Sequence, residues 1–158
     1  MNDLVKKGFV ILCLFISCTP ECVNDDDLGI YEIEIIQKGD FNKFELHSNL
    51  SSEEGGGSLI YSEDGSSKGV SYTFNQSDVN KKEIRFYTGK KAFGLLFTCS
   101  TLNINETERD SMCISVTGYY NGRKILDKTH TFYSYFPNEL YQEIVLDNAL
   151  SIQLRDYK

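Results

Sequence analysis

From Tyr31 onward the chain alternates between apolar and polar residues, and that period of two limits what it can fold into. In YEIEII, Tyr31, Ile33 and Ile35 fall on one face and Glu32 and Glu34 on the other. KFELHS repeats the pattern with Phe44 and Leu46, GVSYTFN with Val70, Tyr72 and Phe74, and EIRFYT with Ile84 and Phe86. MCISVTGYY adds Met112, Ile114, Val116 and Tyr120. Strict alternation of this kind predicts half-buried strands, because successive side chains of a strand point to opposite faces. AFGLLFTC is apolar on both faces and predicts a central strand. The 10 Tyr and 10 Phe suit pleated, half-buried surfaces.

Turn chemistry separates these runs. SEEGGGS (52–58) and SEDGSSKG (62–69) read as Gly- and Ser-rich hairpin loops. Asn121-Gly122 is the strongest short hairpin signal, since both central residues of that turn need positive φ. ISVTGYYNGRKILDKTHTF therefore reads as one hairpin. ELYQEIVLDNALSIQL fits either a helix or two strands. The strands are favoured by the alternation of Leu150, Ile152 and Leu154 with Ser151, Gln153 and Arg155. A last strand there could pair near the N-terminus and close the structure. The sum is an all-β chain of about nine or ten short strands in two packed antiparallel sheets.

The first residues follow different rules. Lys6 and Lys7 precede a nine-residue apolar run, Gly8 to Ile16, then Ser17 and Cys18. That is the layout of a secretory signal peptide. The run is too short for a membrane-spanning helix, which needs about 20 apolar residues. LFISC resembles the lipobox of bacterial lipoproteins, with Phe15 where Leu is usual, and the acidic run at Asp25-Asp26-Asp27 resembles Bacteroidota-type lipoproteins. The resemblance implies cleavage before Cys18 and lipidation of Cys18. It further implies a partner membrane held through the lipid anchor, in the cell envelope at the outer membrane, with export to the cell surface. Several acyl chains give stable anchoring where one is marginal. The domain plan is thus a signal peptide over 1–17, a lipidated tether over 18–29 and a single β-sandwich over 30–158.

The ISVTGYYNGRKILDKTHTFY unit, followed by NELYQEIVLDNALSIQLRD, resembles the closing strands of extracellular jelly-roll modules, including carbohydrate-binding-like ones. This implies a jelly-roll-like sandwich and a glycan ligand. There is no Trp, so sugar stacking would fall to tyrosine.

A formal net charge of −7 repels phosphate-rich polymers and excludes nucleic acid as the main partner. In an oxidising compartment, Cys99 and Cys113 are the natural disulfide pair. Against the pairing, Cys99 continues an apolar face while Cys113 alternates with Ser115 and Thr117. The cysteine spacings match no zinc pattern. Asp25-Asp26-Asp27 lacks a spaced calcium loop, and Glu53-Glu54 and Glu63-Asp64 read as solvated turns, so no metal and no cofactor are expected. His47 and His130 are the only histidines, and no GxSxG elbow or phosphate loop occurs.

Tyr133, Tyr135, Phe136 and Tyr141 cluster near hairpin ends and form the candidate binding patch. Asp110-Ser111-Met112 resembles the Bacteroidota O-glycan acceptor, with Ser111 as the acceptor in a polar loop. These features point to a non-catalytic binding module for a glycan or protein ligand. The alternative is an accessory subunit of a surface assembly, with a small hydrolase behind both.

Overall fold

The computed structural model describes residues 28–39, 43–53, 58–137 and 148–158. Ten strands lie within them: β1 (Tyr31–Gly39), β2 (Glu45–Glu53), β3 (Ile60–Ser62), β4 (Ser67–Gly69), β5 (Ser71–Thr73), β6 (Glu83–Thr88), β7 (Gly94–Leu102), β8 (Ser111–Tyr120), β9 (Arg123–Tyr133) and β10 (Ala149–Gln153). They form an antiparallel six-stranded sheet, ordered β4-β3-β6-β1-β8-β9, and an antiparallel four-stranded sheet, ordered β10-β7-β2-β5. The two pack as a sandwich.

The alternation decides which way each strand faces. Tyr31, Ile33 and Ile35 of β1, Ile84 and Phe86 of β6, and Met112, Ile114 and Val116 of β8 point inward and are buried. They meet Leu50 of β2, Leu95 and Phe97 of β7, and Leu150 and Ile152 of β10. Phe74 bridges the sheets, with ring centroids 5.2 Å from Phe86 and 6.0 Å from Phe97. β7 lies between β10 and β2, as its two-sided apolar character predicts.

The β8–β9 hairpin turns at Asn121 (φ 51°) and Gly122 (φ 78°), the pair of positive φ values that the turn demands. SEDGSSKG likewise closes the β3–β4 hairpin.

Several expectations need correction. Residues 52–58 do not close a hairpin, because β2 and β3 belong to different sheets. Val70 is 48% exposed, since the chain changes sheets between β4 and β5 and breaks the alternation there. β10 pairs with β7 rather than with a strand near the N-terminus. After Gln153 the chain turns into a 3-10 helix, Leu154–Tyr157, which buries Leu154. The run from 141 to 147 lies outside the described residues.

The Cys99–Cys113 disulfide is absent, and both thiols are free. The segment 103–110 crosses between sheets, so β7 and β8 are not a hairpin. Cys99 points into the core, where the Ser48 hydroxyl donates to its sulfur at 3.3 Å. Burial pushes its thiol up to about 11. Cys113 stands on the opposite sheet beside the Thr131 hydroxyl at 3.3 Å.

Candidate functional site on the outer face of the six-stranded sheet

The expected aromatic patch does not assemble as one surface. Tyr133 ends β9 and is 40% exposed, beside Ser111 across the ladder. Beyond Tyr133 the chain leaves the sheet: Tyr135 N–H donates to Asn103 O at 2.9 Å, and Asn105 N–H donates to Tyr135 O at 2.9 Å. That turn buries the Tyr135 ring, with the Arg109 guanidinium 5.5 Å from its centroid. Phe136 is exposed, with the same guanidinium 5.8 Å from its centroid. Tyr141 lies outside the described residues, as does Cys18. Ser111 is exposed, but it opens β8 rather than sitting in a loop.

A different group of aromatics does come together. In the six-stranded sheet β3, β6, β1 and β8 are consecutive neighbours. Their register aligns Tyr61 with Tyr87, Tyr87 with Glu32, and Glu32 with Tyr119. The next row aligns Arg85 with Glu34 and Glu34 with Thr117. These residues alternate with the buried Tyr31, Ile33, Phe86 and Val116, so they face away from the core.

The row is built, not accidental exposure. Tyr61 and Tyr87 stack with centroids 5.7 Å apart and planes 18° apart. The Tyr61 ring lies over Gly89, where an added Cβ would stand 2.3 Å from the ring. Any side chain there would push the tyrosine off its position. In the second row Arg85 Nη2 donates to Glu34 Oε1 at 2.5 Å and lies 3.0 Å from Glu83 Oε1. The carboxylate of Glu34 is only 14% exposed, so this pair is better shielded than a free surface pair. Glu32 is exposed, and its carboxylate has no hydrogen-bond or ion-pair partner among the described residues.

A cavity of about 450 Å³ lies over this surface, lined by Glu32, Glu34, Glu63, Arg85, Tyr87 and Tyr119. A second depression of about 360 Å³ adjoins it, sharing Glu63 and Arg85 and reaching Asp64, Lys68, Asp78 and Lys81. Two of its carboxylates are already engaged. Asp64 accepts from the Ser62 hydroxyl at 2.7 Å and from Ser66 N–H at 2.9 Å, and these bonds hold it well below the usual carboxylate range. Asp78 accepts from the Tyr72 hydroxyl at 2.5 Å and from Asn75 N–H at 3.2 Å. Burial, followed by this bond, pushes Tyr72 up to about 12.

Among the described residues no group of three or more His, Cys, Asp or Glu side chains could hold a metal ion. Asp110 illustrates why. Lys43 Nζ takes one oxygen at 3.0 Å and Asn105 Nδ2 the other at 2.9 Å. A calcium ion needs six to eight oxygens, and here a lysine and an amide take both oxygens of the carboxylate instead. His130 packs edge-on against Phe132 at 4.6 Å, and His47 stands exposed beside Glu45 at 3.4 Å.

Sequence reasoning placed Glu32, Glu34 and Arg85 on strands but missed this site. The signal was present in the polar phase of each strand. What was missing was strand order, which alone brings Tyr61, Tyr87 and Tyr119 to one surface.

Three solved structures share this fold. A DUF4425 family protein from Bacteroides ovatus is 21% identical, with a TM-score of 0.61 over 80% of this chain and 96% of that one. A domain of unknown function, DUF4425, from Bacteroides vulgatus is 22% identical, with a TM-score of 0.60 over 80% and 92%. The calcium-bound form of a Parabacteroides distasonis protein is 22% identical, with a TM-score of 0.56 over 78% and 92%. Comparison with curated proteins gives no match. Across residues 5–143, nearly the whole length, the sequence matches one family, and the chain belongs to it: the PLAT/LH2 and C2-like Ca2+-binding lipoproteins.

Proposed function

We propose that this envelope lipoprotein is a non-catalytic glycan-binding module, held at the outer membrane through Cys18 and exposed at the cell surface. Its ligand lies across the outer face of the six-stranded sheet. The observation that carries this reading is the cross-strand row Tyr61–Tyr87–Glu32–Tyr119 beside the Glu34–Arg85 pair. The half-buried tyrosine rings offer apolar surface against which a sugar ring can pack. The flanking carboxylates accept from its hydroxyls, and the guanidinium donates to them.

The test is a glycan-array screen with the full-length chain in detergent, followed by Tyr87→Ala. Saturable binding that this variant weakens is the expected result; a folded protein that binds no glycan sinks the reading. Location is tested separately. Cys18→Ala should leave the membrane fraction, and external protease should cut the intact chain on whole cells.

A second reading has one observation behind it. β9 is an eleven-residue strand at the edge of the six-stranded sheet, and among the described residues no strand pairs with its far side. Such an edge can accept a partner strand in a surface assembly. Pull-down from native membranes with and without a proline at Thr129 tests it.

Calcium binding is a trait of this family, and the Parabacteroides distasonis protein of the same fold is calcium-bound. Among the described residues no three acidic, histidine or cysteine side chains come together to hold the ion. Titrating calcium into the full chain by calorimetry checks the family trait directly.

A further inference from the structure

We infer that the outer-face site selects a glycan carrying a protonated primary amine, a free amino sugar, with the ammonium seated on Glu32 between Tyr87 and Tyr119. This rests on the glycan reading above and adds its chemical class.

The argument starts from what a bound sugar must cover. Tyr87 and Tyr119 are both direct cross-strand neighbours of Glu32, on β6 and β8. Two strand spacings separate those backbones by roughly 10 Å, a slot about one sugar ring wide. A ring stacked across the row therefore covers the Glu32 carboxylate and strips its water. Covering a charge without replacing its hydrogen bonds is costly. Glu34 does not face this problem, because Arg85 already pairs with it. Glu32 has no such partner among the described residues, so the ligand must supply one.

The charge around the slot narrows the choice. Glu32, Glu34 and Glu63 line the cavity with a single guanidinium, Arg85, and the other cation beside it, Lys124 across the ladder from Tyr119, is held on Asp127. An anionic sugar is repelled. A neutral sugar satisfies Glu32 with hydroxyl donors alone. An ammonium makes a charge-assisted bond to the same carboxylate, roughly twice as strong as a neutral one. The site thus ranks ligands as amino sugar, then neutral sugar, then acidic sugar.

The test titrates the full-length chain in detergent with a glucosamine oligomer, its N-acetylated form and a glucose oligomer, matched in length and linkage. The glucosamine oligomer is expected to bind about fivefold more tightly than the other two at low salt, with the margin shrinking at high salt. Glu32→Gln should erase that margin, so that the glucosamine oligomer binds no more tightly than the two neutral oligomers. Glu106→Gln changes net charge equally at an exposed position away from the slot and should leave the margin intact. Equal binding of all three oligomers overturns the inference but leaves the glycan reading standing. A margin that survives Glu32→Gln reduces it to attraction by overall charge and also overturns it. If no glycan binds, both the glycan reading and this inference fall.

Discussion

The two outer faces of this sandwich share one core and differ in almost everything else. On the four-stranded sheet the middle of the outer face is short and polar, with Asn49 and Ser51 of β2, Thr98 and Ser100 of β7, Ser71 and Thr73 of β5, and Ser151 of β10, while Leu96, Leu102 and the longer Glu45, His47, Glu53 and Gln153 stand towards its ends. They satisfy one another, as where Asn49 Nδ2 donates to the Thr73 hydroxyl at 3.4 Å. No Tyr or Phe stands on that face among its described strands. The six-stranded sheet instead carries the stacked Tyr61 and Tyr87, Tyr119, and the Glu34–Arg85 pair under a cavity. Both faces obey the same period of two. Alternation makes an outer face polar, but it does not make it a site. That requires large, rigid side chains aligned across strands and charges left for a ligand to answer.

The comparison breaks most sharply if the shared core is cut. Phe97 is fully buried and touches the Phe74 ring that bridges the sheets. Phe97→Ala should cost about 3–5 kcal/mol in urea unfolding and weaken both faces together. A loss confined to one sheet would mean that the two do not unfold as a unit.

The two thiols sharpen inside against outside. The Cys99 thiol rises from 9.0 to about 11 on burial, so the folded state holds its proton longer than the unfolded chain. Its stabilising contribution is complete below pH 9 and is lost as pH climbs towards 11, by up to about 2–3 kcal/mol. Cys99→Ala should remove that part of the alkaline decline. In the native state a thiol reagent should label Cys113 and spare Cys99 until unfolding. A Cys99–Cys113 disulfide peptide in mass spectrometry would contradict the separation of the two sheets.

Legibility follows the same division. Core membership was readable strand by strand, because Ile33, Ile35, Ile114 and Val116 announce their face by spacing alone. The Asn121-Gly122 turn was readable because its backbone excludes most other residues. Tyr135 was misread: nothing in YSYFP says that the chain leaves the sheet after Tyr133. The disulfide was misread for a related reason, since a loop between two strands does not reveal whether it turns back or crosses to the other sheet.

Smaller effects test the faces individually. Tyr87→Ala should weaken glycan binding by about 0.5–1.5 kcal/mol, while Thr98→Ala on the other face should leave binding unchanged. If Thr98→Ala is the damaging variant, the site has been placed on the wrong sheet. Smallest of all, Glu34→Gln should cost about 1 kcal/mol or less in stability, because its Arg85 partner is half exposed. Thermal unfolding of the variant checks it.

What the sequence determined by itself is local: a strand's period, its buried phase, a turn that needs positive φ, and an apolar run that stops at Ser17-Cys18. Each depends on neighbours a few residues apart, so one stretch of chain suffices to read it. What only the tertiary structure decided is which strands stand side by side. Tyr61, Tyr87 and Tyr119 are distant in sequence and share one cross-strand row because β3, β6, β1 and β8 are adjacent in one sheet. That order is set by how two sheets share a core, and each strand's own pattern is compatible with many such orders.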